Sequence, residues 1–281
     1  MILTTLIDVE TLAAHLTDPR FSVIDCRYSL DDESWGEREY KKLHIPGAMF
    51  ANMDRDLSGP KTGRNGRHPL PALTSLAPTL GRFGIADGIQ VVAYDQDAGM
   101  YASRLWWLLR WLGHDAVAVL DGGFAKWIAG ARATRSGVET HPQRQFTPAP
   151  RPDWLVNTGT VGEAIGNKEW LLVDARAPER YRGEVEPVDK VAGRIPGAMN
   201  HFYKRNVRED GTFLPPAELR TRAQASIGNT ALDHVICYCG SGVTACQDLL
   251  AFEHAGLKGA KLYAGSWSEW ISDPARPVER G

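Results

Sequence analysis

The chain has 281 residues, of which 43% are hydrophobic and 23% charged, with a formal net charge of −2. That length suits two average domains, each large enough to bury its own core, and the composition excludes a disordered or collagen-like chain. Near-neutral charge gives no general attraction to nucleic acid or to an anionic membrane surface, so an anionic ligand has to be held by local positive groups.

The first residues, Met1 to Asp8, show no basic region followed by a long apolar stretch and a small-residue cleavage site; they do not read as a signal peptide, and a cytoplasmic location is expected. A short apolar run, Ser22-Val23-Ile24-Asp25-Cys26-Arg27, reads as a strand and is followed by a turn, His44-Ile45-Pro46-Gly47-Ala48-Met49. Gln90-Val91-Val92-Ala93-Tyr94-Asp95 is a second strand-like run. A helix is predicted over 101–112, with Leu105, Leu108, Leu109 and Leu112 on one face and Gly113 as its stop. Its most apolar part, 105–112, is broken by Arg110 and falls far short of the roughly 20 residues needed to span a bilayer. Val117-Ala118-Val119-Leu120 reads as a buried strand. The stretch 132–152 is rich in Pro, Thr, Arg and Gln without an apolar period, and reads as an exposed linker.

Beyond it the same blocks return in the same order. Leu171-Leu172-Val173-Asp174-Ala175-Arg176 repeats the first strand, and Arg194-Ile195-Pro196-Gly197-Ala198-Met199 repeats the turn. His234-Val235-Ile236-Cys237-Tyr238-Cys239 aligns with the 90–95 run, and Gly265 to Trp270 with Gly122 to Trp127. A second helix is expected over 243–254, with Ala245, Cys246, Leu249 and Leu250 inward before Gly256. Four ordered matches describe a duplicated domain, read as 1–135 and 153–281 with a linker over 136–152. Strands alternating with helices imply an α/β fold in which each copy is a mainly parallel sheet flanked by helices, with ligands beyond the carboxyl ends of the strands.

One strand-to-helix junction carries chemistry: Cys239-Gly240-Ser241-Gly242-Val243-Thr244. The two glycines permit sharp turns, so that backbone N–H groups and the positive end of the following helix can converge on the sulfur and favour its thiolate. Three of the four cysteines lie inside ten residues, a poor layout for disulfide staples, so free thiols are expected. Cys26, Cys237 and Cys246 read as buried hydrophobes, with a regulatory Cys239–Cys246 disulfide as the lesser alternative. Zinc is not expected, because Cys237-x-Cys239 lacks the spacing of a metal-binding pair and no second pair exists to complete four ligands. A Cys-x5-Arg phosphatase is excluded, since Ala245 stands where the phosphate-clamping arginine is needed.

The Cys239–Thr244 loop, both Asp-x-Arg strand ends, both Ile-Pro-Gly-Ala turns and the Trp267-Ser268-Glu269-Trp270 block together resemble the tandem-domain rhodanese superfamily, its 3-mercaptopyruvate sulfurtransferase branch in particular. The resemblance implies a sulfur-transfer enzyme with Cys239 as nucleophile and no metal or organic cofactor. It also implies a first copy that is non-catalytic, because Asp95 stands at the cysteine position. The following loop, Gln96-Asp97-Ala98-Gly99-Met100, is expected to form neither a thiolate nor an uncharged anion cradle. Ser241, His68 and Asp54 are implied as a hydroxyl–imidazole–carboxylate relay between the two domains, with Asp56 an alternative for Asp54. Gly240, Gly242, Val243 and Thr244 would line the donor site, and Arg180 would bind its carboxylate. The family's second arginine falls on Val188, leaving Lys190 or Arg182 to replace it. The neutral Gly240-Ser241 pair suits 3-mercaptopyruvate, with thiosulfate as the rival donor and a thiol, cyanide or thioredoxin as acceptor. A non-enzymatic persulfide-carrier or binding module is the remaining reading.

Overall fold

The computed structural model describes residues 2–96 and 98–281; Met1 of the N-terminal reading and Asp97 of the first loop lie outside them. The chain forms two compact units, one from Met1–Gly59, Pro71–Arg151 and Val207–Phe213, the other from Pro60–Leu70, Pro152–Asn206 and Leu214–Gly281. Sequence order placed His68 with the first copy; by its packing it belongs to the second unit. Among the described residues no helix is long and apolar enough to cross a membrane.

The first unit holds strands β1 (Leu6–Ile7), β2 (Phe21–Asp25), β3 (Met49–Phe50), β4 (Gln90–Tyr94) and β5 (Val117–Leu120), in the sheet order β1-β5-β4-β2-β3. The second holds β6 (Leu155–Val156), β7 (Leu171–Asp174), β8 (Met199–Asn200), β9 (Val235–Tyr238) and β10 (Lys261–Tyr263), in the matching order β6-β10-β9-β7-β8. Each pairing is parallel. The central β4 and β9 are buried along their whole length, which is why they read as continuous apolar runs rather than alternating ones.

The duplication extends to single hydrogen bonds. Asp8 caps the first helix of one unit through Thr11 N–H at 2.7 Å, and Asn157 caps its counterpart through Thr160 N–H at 3.0 Å. The Asp-x-Arg strand ends are buried ion pairs, Arg27 on Asp25 and Arg176 on Asp174, each at 2.6 Å. Each guanidinium also donates at 2.7 Å to a carbonyl before the Ile-Pro-Gly-Ala turn, Leu43 or Gly193, and stacks over an aromatic ring, Phe124 or Trp267. Burial works against the Arg176 charge, but the Asp174 carboxylate outweighs it and raises the arginine above its usual range. These pairs tie each strand end to its turn, and losing one partner would strand a buried charge.

The helix expected over 101–112 spans Ala102–Trp111, and all ten of its residues are buried, not one face alone. The stretch read as an exposed linker is mostly exposed but not loose. It runs along the first unit as an ordered strap, with Arg135 bridged to His44 and the N–H groups of Ala149 and Arg151 donating to Leu112 and Trp111 at 2.8 Å. Backbone hydrogen bonds to fixed partners, invisible in a periodicity reading, hold this segment.

Candidate active site

Cys239 directly follows β9 and is 2% exposed. Its backbone N–H donates to Ser266 Oγ at 3.1 Å, and its carbonyl and that of Gly240 accept from Trp267 N–H at 3.0 Å and Ser268 N–H at 2.9 Å. The loop then folds back so that Gly242 N–H points at Cys239 Sγ from 3.1 Å. This turn requires glycine: Gly242 has φ +74°, and a Cβ there would stand 2.3 Å from the Ala264 carbonyl oxygen. The Cys246 thiol donates to Gly242 O at 3.2 Å from the helix Thr244–His254, and buried Val243 leads into that helix. All four cysteines are free and buried.

Over the loop lies the segment 60–70. Gly66 at φ +84° comes close against the Gly265 carbonyl, and Arg67 N–H donates to Ser268 Oγ at 3.0 Å. This anchorage brings His68 Nδ1 to 2.8 Å from Ser241 Oγ, with both residues buried. The hydroxyl–imidazole pair is therefore formed inside the second unit. Asp54 belongs to the first unit, where Tyr28 O–H donates to its Oδ2 at 2.6 Å. Asp56 accepts Asn52 N–H at 2.9 Å and pairs with Arg55.

Arg180 sits in the short helix Pro178–Tyr181 and forks onto Glu186, with Nε 3.1 Å from Oε1 and Nη2 at 2.7 Å. Burial works to raise the Glu186 carboxyl, yet hydrogen bonding by Arg180 and by the Asp189 and Val188 N–H groups holds it below the usual carboxylate range. Both residues expected to replace the second arginine are at the surface. Arg182 is exposed and paired with Glu184 at 2.6 Å, Lys190 is exposed, and Val188 is 42% exposed. A second guanidinium beside the loop is that of Arg67. A Cβ built on Gly240 would stand 2.9 Å from Arg67 Nη2 and 3.6 Å from Arg180 Nη2, so two positive groups converge over the loop.

Two further residues escaped sequence reasoning. Ser266 adopts the left-handed conformation at φ +54°, which costs a non-glycine residue about 1 kcal/mol or more; its counterpart Gly123 has φ +57°. The exchange of glycine for a serine whose hydroxyl holds the Cys239 N–H was visible in the repeat alignment as its only signal. Asp248 is fully buried behind the loop, its Oδ1 accepting from Asn206 at 2.7 Å. Burial pushes its carboxyl well above the usual range.

The first unit adds to one expectation. Amides at and beyond the end of its loop converge, and Asp95 fills the space: the carboxylate accepts from Gly99 N–H at 3.0 Å, Tyr101 N–H at 2.7 Å and Ala102 N–H at 3.0 Å. Asp95 is fully buried, a built-in anion where the second unit carries its thiol. Asp95→Ala orphans three buried amides and is expected to destabilise this unit by about 3 kcal/mol, read as a lower urea midpoint for its transition.

Comparison with known proteins agrees with this architecture. The sequence model of the rhodanese-like domain matches residues 8–130 and again 158–273. The chain belongs to the rhodanese family. A Pseudomonas aeruginosa protein described as a probable 3-mercaptopyruvate sulfurtransferase is 47% identical over 278 residues, 98% of each chain. The thiosulfate sulfurtransferase of Rattus norvegicus is 31% identical, covering 97% of this chain and 93% of its own. Among solved structures, a 3-mercaptopyruvate sulfotransferase of Escherichia coli superposes with a TM-score of 0.82 at 31% identity, covering 94% of this chain and 99% of that chain.

Proposed function

We propose that this chain is a sulfurtransferase that takes sulfur from 3-mercaptopyruvate onto Cys239 and passes it to a thiol, cyanide or thioredoxin. The observation that carries the donor assignment is the 2.8 Å approach of His68 Nδ1 to Ser241 Oγ, two residues beyond Cys239. A mercaptan donor brings a thiol proton that has to leave the sulfur and reach the departing carbon, and this pair lies beside the loop that would carry it. Cys239 thiolate attacks the donor sulfur, the C–S bond breaks, and its electron pair leaves on the pyruvate enolate. The thiol proton, relayed through Ser241 and His68, completes pyruvate and leaves Cys239 as a persulfide. Asp54 belongs to the same reading as the carboxylate that orients His68. The Gly242 N–H lies where it stabilises the sulfur anion in both half-reactions.

Thiosulfate is the second reading, favoured by one observation: Arg67 and Arg180 aim guanidinium N–H donors at a loop whose own residues are neutral. The two separate by the ratio of kcat/KM for the two donors, expected to favour 3-mercaptopyruvate. Ser241→Ala is expected to lower kcat/KM for 3-mercaptopyruvate about 10- to 100-fold and to leave thiosulfate nearly unaffected, since thiosulfate has no thiol proton to move. Incubation with donor followed by mass spectrometry is expected to add one sulfur, about 32 Da, to the Cys239 peptide. Transfer from that persulfide to reduced thioredoxin tests the acceptor, and cell fractionation tests a cytoplasmic location.

A further inference from the structure

The two guanidinium groups over Gly240 are not free charges. Arg67 Nη1 donates to Asp189 Oδ1, and Arg180 Nη2 donates to Asp189 Oδ2 at 3.1 Å. The Asp189 side chain is 4% exposed, and its Oδ2 would stand 3.7 Å from a Cβ on Gly240. Glu186, the other carboxylate here, is bound by Arg180 and Arg176 and by the N–H groups of Val188 and Asp189, so it is saturated and part of the frame. Asp189 stands between the two arginines that face the loop. With Arg67 and Arg180 set against Glu186 and Asp189, this corner of the site carries no net charge.

We propose that Asp189 is a donor-charge filter: a resident carboxylate between Arg67 and Arg180 whose negative charge lets the site accept a monoanionic α-keto acid donor in preference to a dianionic one. The inference rests on the sulfurtransferase reading and names what sets its donor class. An incoming carboxylate exchanges hydrogen bonds with Asp189 on the same two arginines, and one excess negative charge remains. A dianion such as thiosulfate leaves two. Because Coulomb energy scales with the product of the charges, removing the Asp189 charge helps a dianion about twice as much in free energy as a monoanion, hence by the square of the fold-change.

The test uses the full chain with Asp189→Asn, which keeps an oxygen for Arg67 to bind while removing the charge. With cyanide as acceptor, kcat/KM for 3-mercaptopyruvate is expected to rise about 3- to 5-fold and that for thiosulfate about 10- to 25-fold, through KM rather than kcat. Both gains shrink as salt is raised to about 0.5 M. Calorimetry with pyruvate, which carries the carboxylate without sulfur, is expected to show tighter binding. Asp189→Glu, which keeps the charge, is expected to keep the wild-type preference, and Asp189→Ser serves if thermal melting shows Asp189→Asn to be poorly folded. Unchanged or equally lowered kcat/KM for both donors in the folded neutral variants overturns the proposal and leaves Asp189 as an ordinary loop tie. A wild-type preference for thiosulfate would instead overturn the donor assignment, and the variant-to-wild-type ratio would still read the filter.

Discussion

Cys239→Ser is expected to abolish sulfur transfer from every donor, lowering kcat/KM by about 1,000-fold or more, whereas Cys26→Ser, Cys237→Ser and Cys246→Ser keep most of it. A serine hydroxyl at Cys239 would sit in the same loop but could neither ionise near neutral pH nor hold a sulfane sulfur. Cys26 and Cys237 are fully buried within or beside the sheets, and burial pushes both thiols well above their usual range, so they remain protonated and inert. Cys246 donates its thiol hydrogen to Gly242 O, a role that a serine hydroxyl fills. Thiocyanate release in the presence of cyanide measures all four variants, and appreciable turnover by Cys239→Ser would remove the proposed nucleophile.

Arg180→Ala is expected to lower kcat/KM for 3-mercaptopyruvate by about 30- to 1,000-fold, the loss of about 2–4 kcal/mol of charge-assisted hydrogen bonding to the donor carboxylate. The same change removes the fork on Glu186, whose side chain is 4% exposed, so stability falls as well, by about 1–3 kcal/mol. The loss is limited because Arg176 keeps its contact with Glu186 at 3.3 Å. Linkage separates the two effects. A glutamate held below its usual range contributes stability that is present above its unfolded value and lost as pH falls through its folded one. Without Arg180 this contribution shrinks, so wild type and variant should converge in thermal midpoint toward acid pH while their kcat/KM values stay apart near neutrality. Arg180→Lys, which keeps the charge and loses the planar fork, is expected to fall between them. Full activity of folded Arg180→Ala with 3-mercaptopyruvate would show that the carboxylate is held elsewhere.

Much of this molecule is written locally. The two Asp-x-Arg strand ends, the Ile-Pro-Gly-Ala turns, β4 and β9, and the helices after Asp95 and Cys239 follow from short-range chemistry: apolar runs, glycine turns and caps acting within a few residues. Because each signal is written twice, the duplication and the mainly parallel α/β architecture were legible before any coordinate. The Cys239–Thr244 loop was legible for the same reason, since its glycines and its cysteine are neighbours in the chain.

What only the tertiary structure decided is what lies opposite that loop. Arg67 and Asp189 are 122 residues apart in sequence, and His68 and Ser241 are 173 apart. Their approach depends on the segment 60–70 packing within the second unit, anchored by the Gly66 turn and the Arg67 N–H. Sequence reading looked for the second positive charge near Val188, on the segment that carries Arg180, and so named Lys190 and Arg182. The strap over 135–151 escaped for a related reason: its order comes from backbone hydrogen bonds to partners distant in the chain, which leave no mark on side-chain periodicity. Asp95 is the converse case. The sequence by itself determined that the first copy carries Asp95 where the second carries Cys239, but only the fold showed that its carboxylate completes the cradle, because backbone amides, which every residue type carries, are aimed by conformation alone.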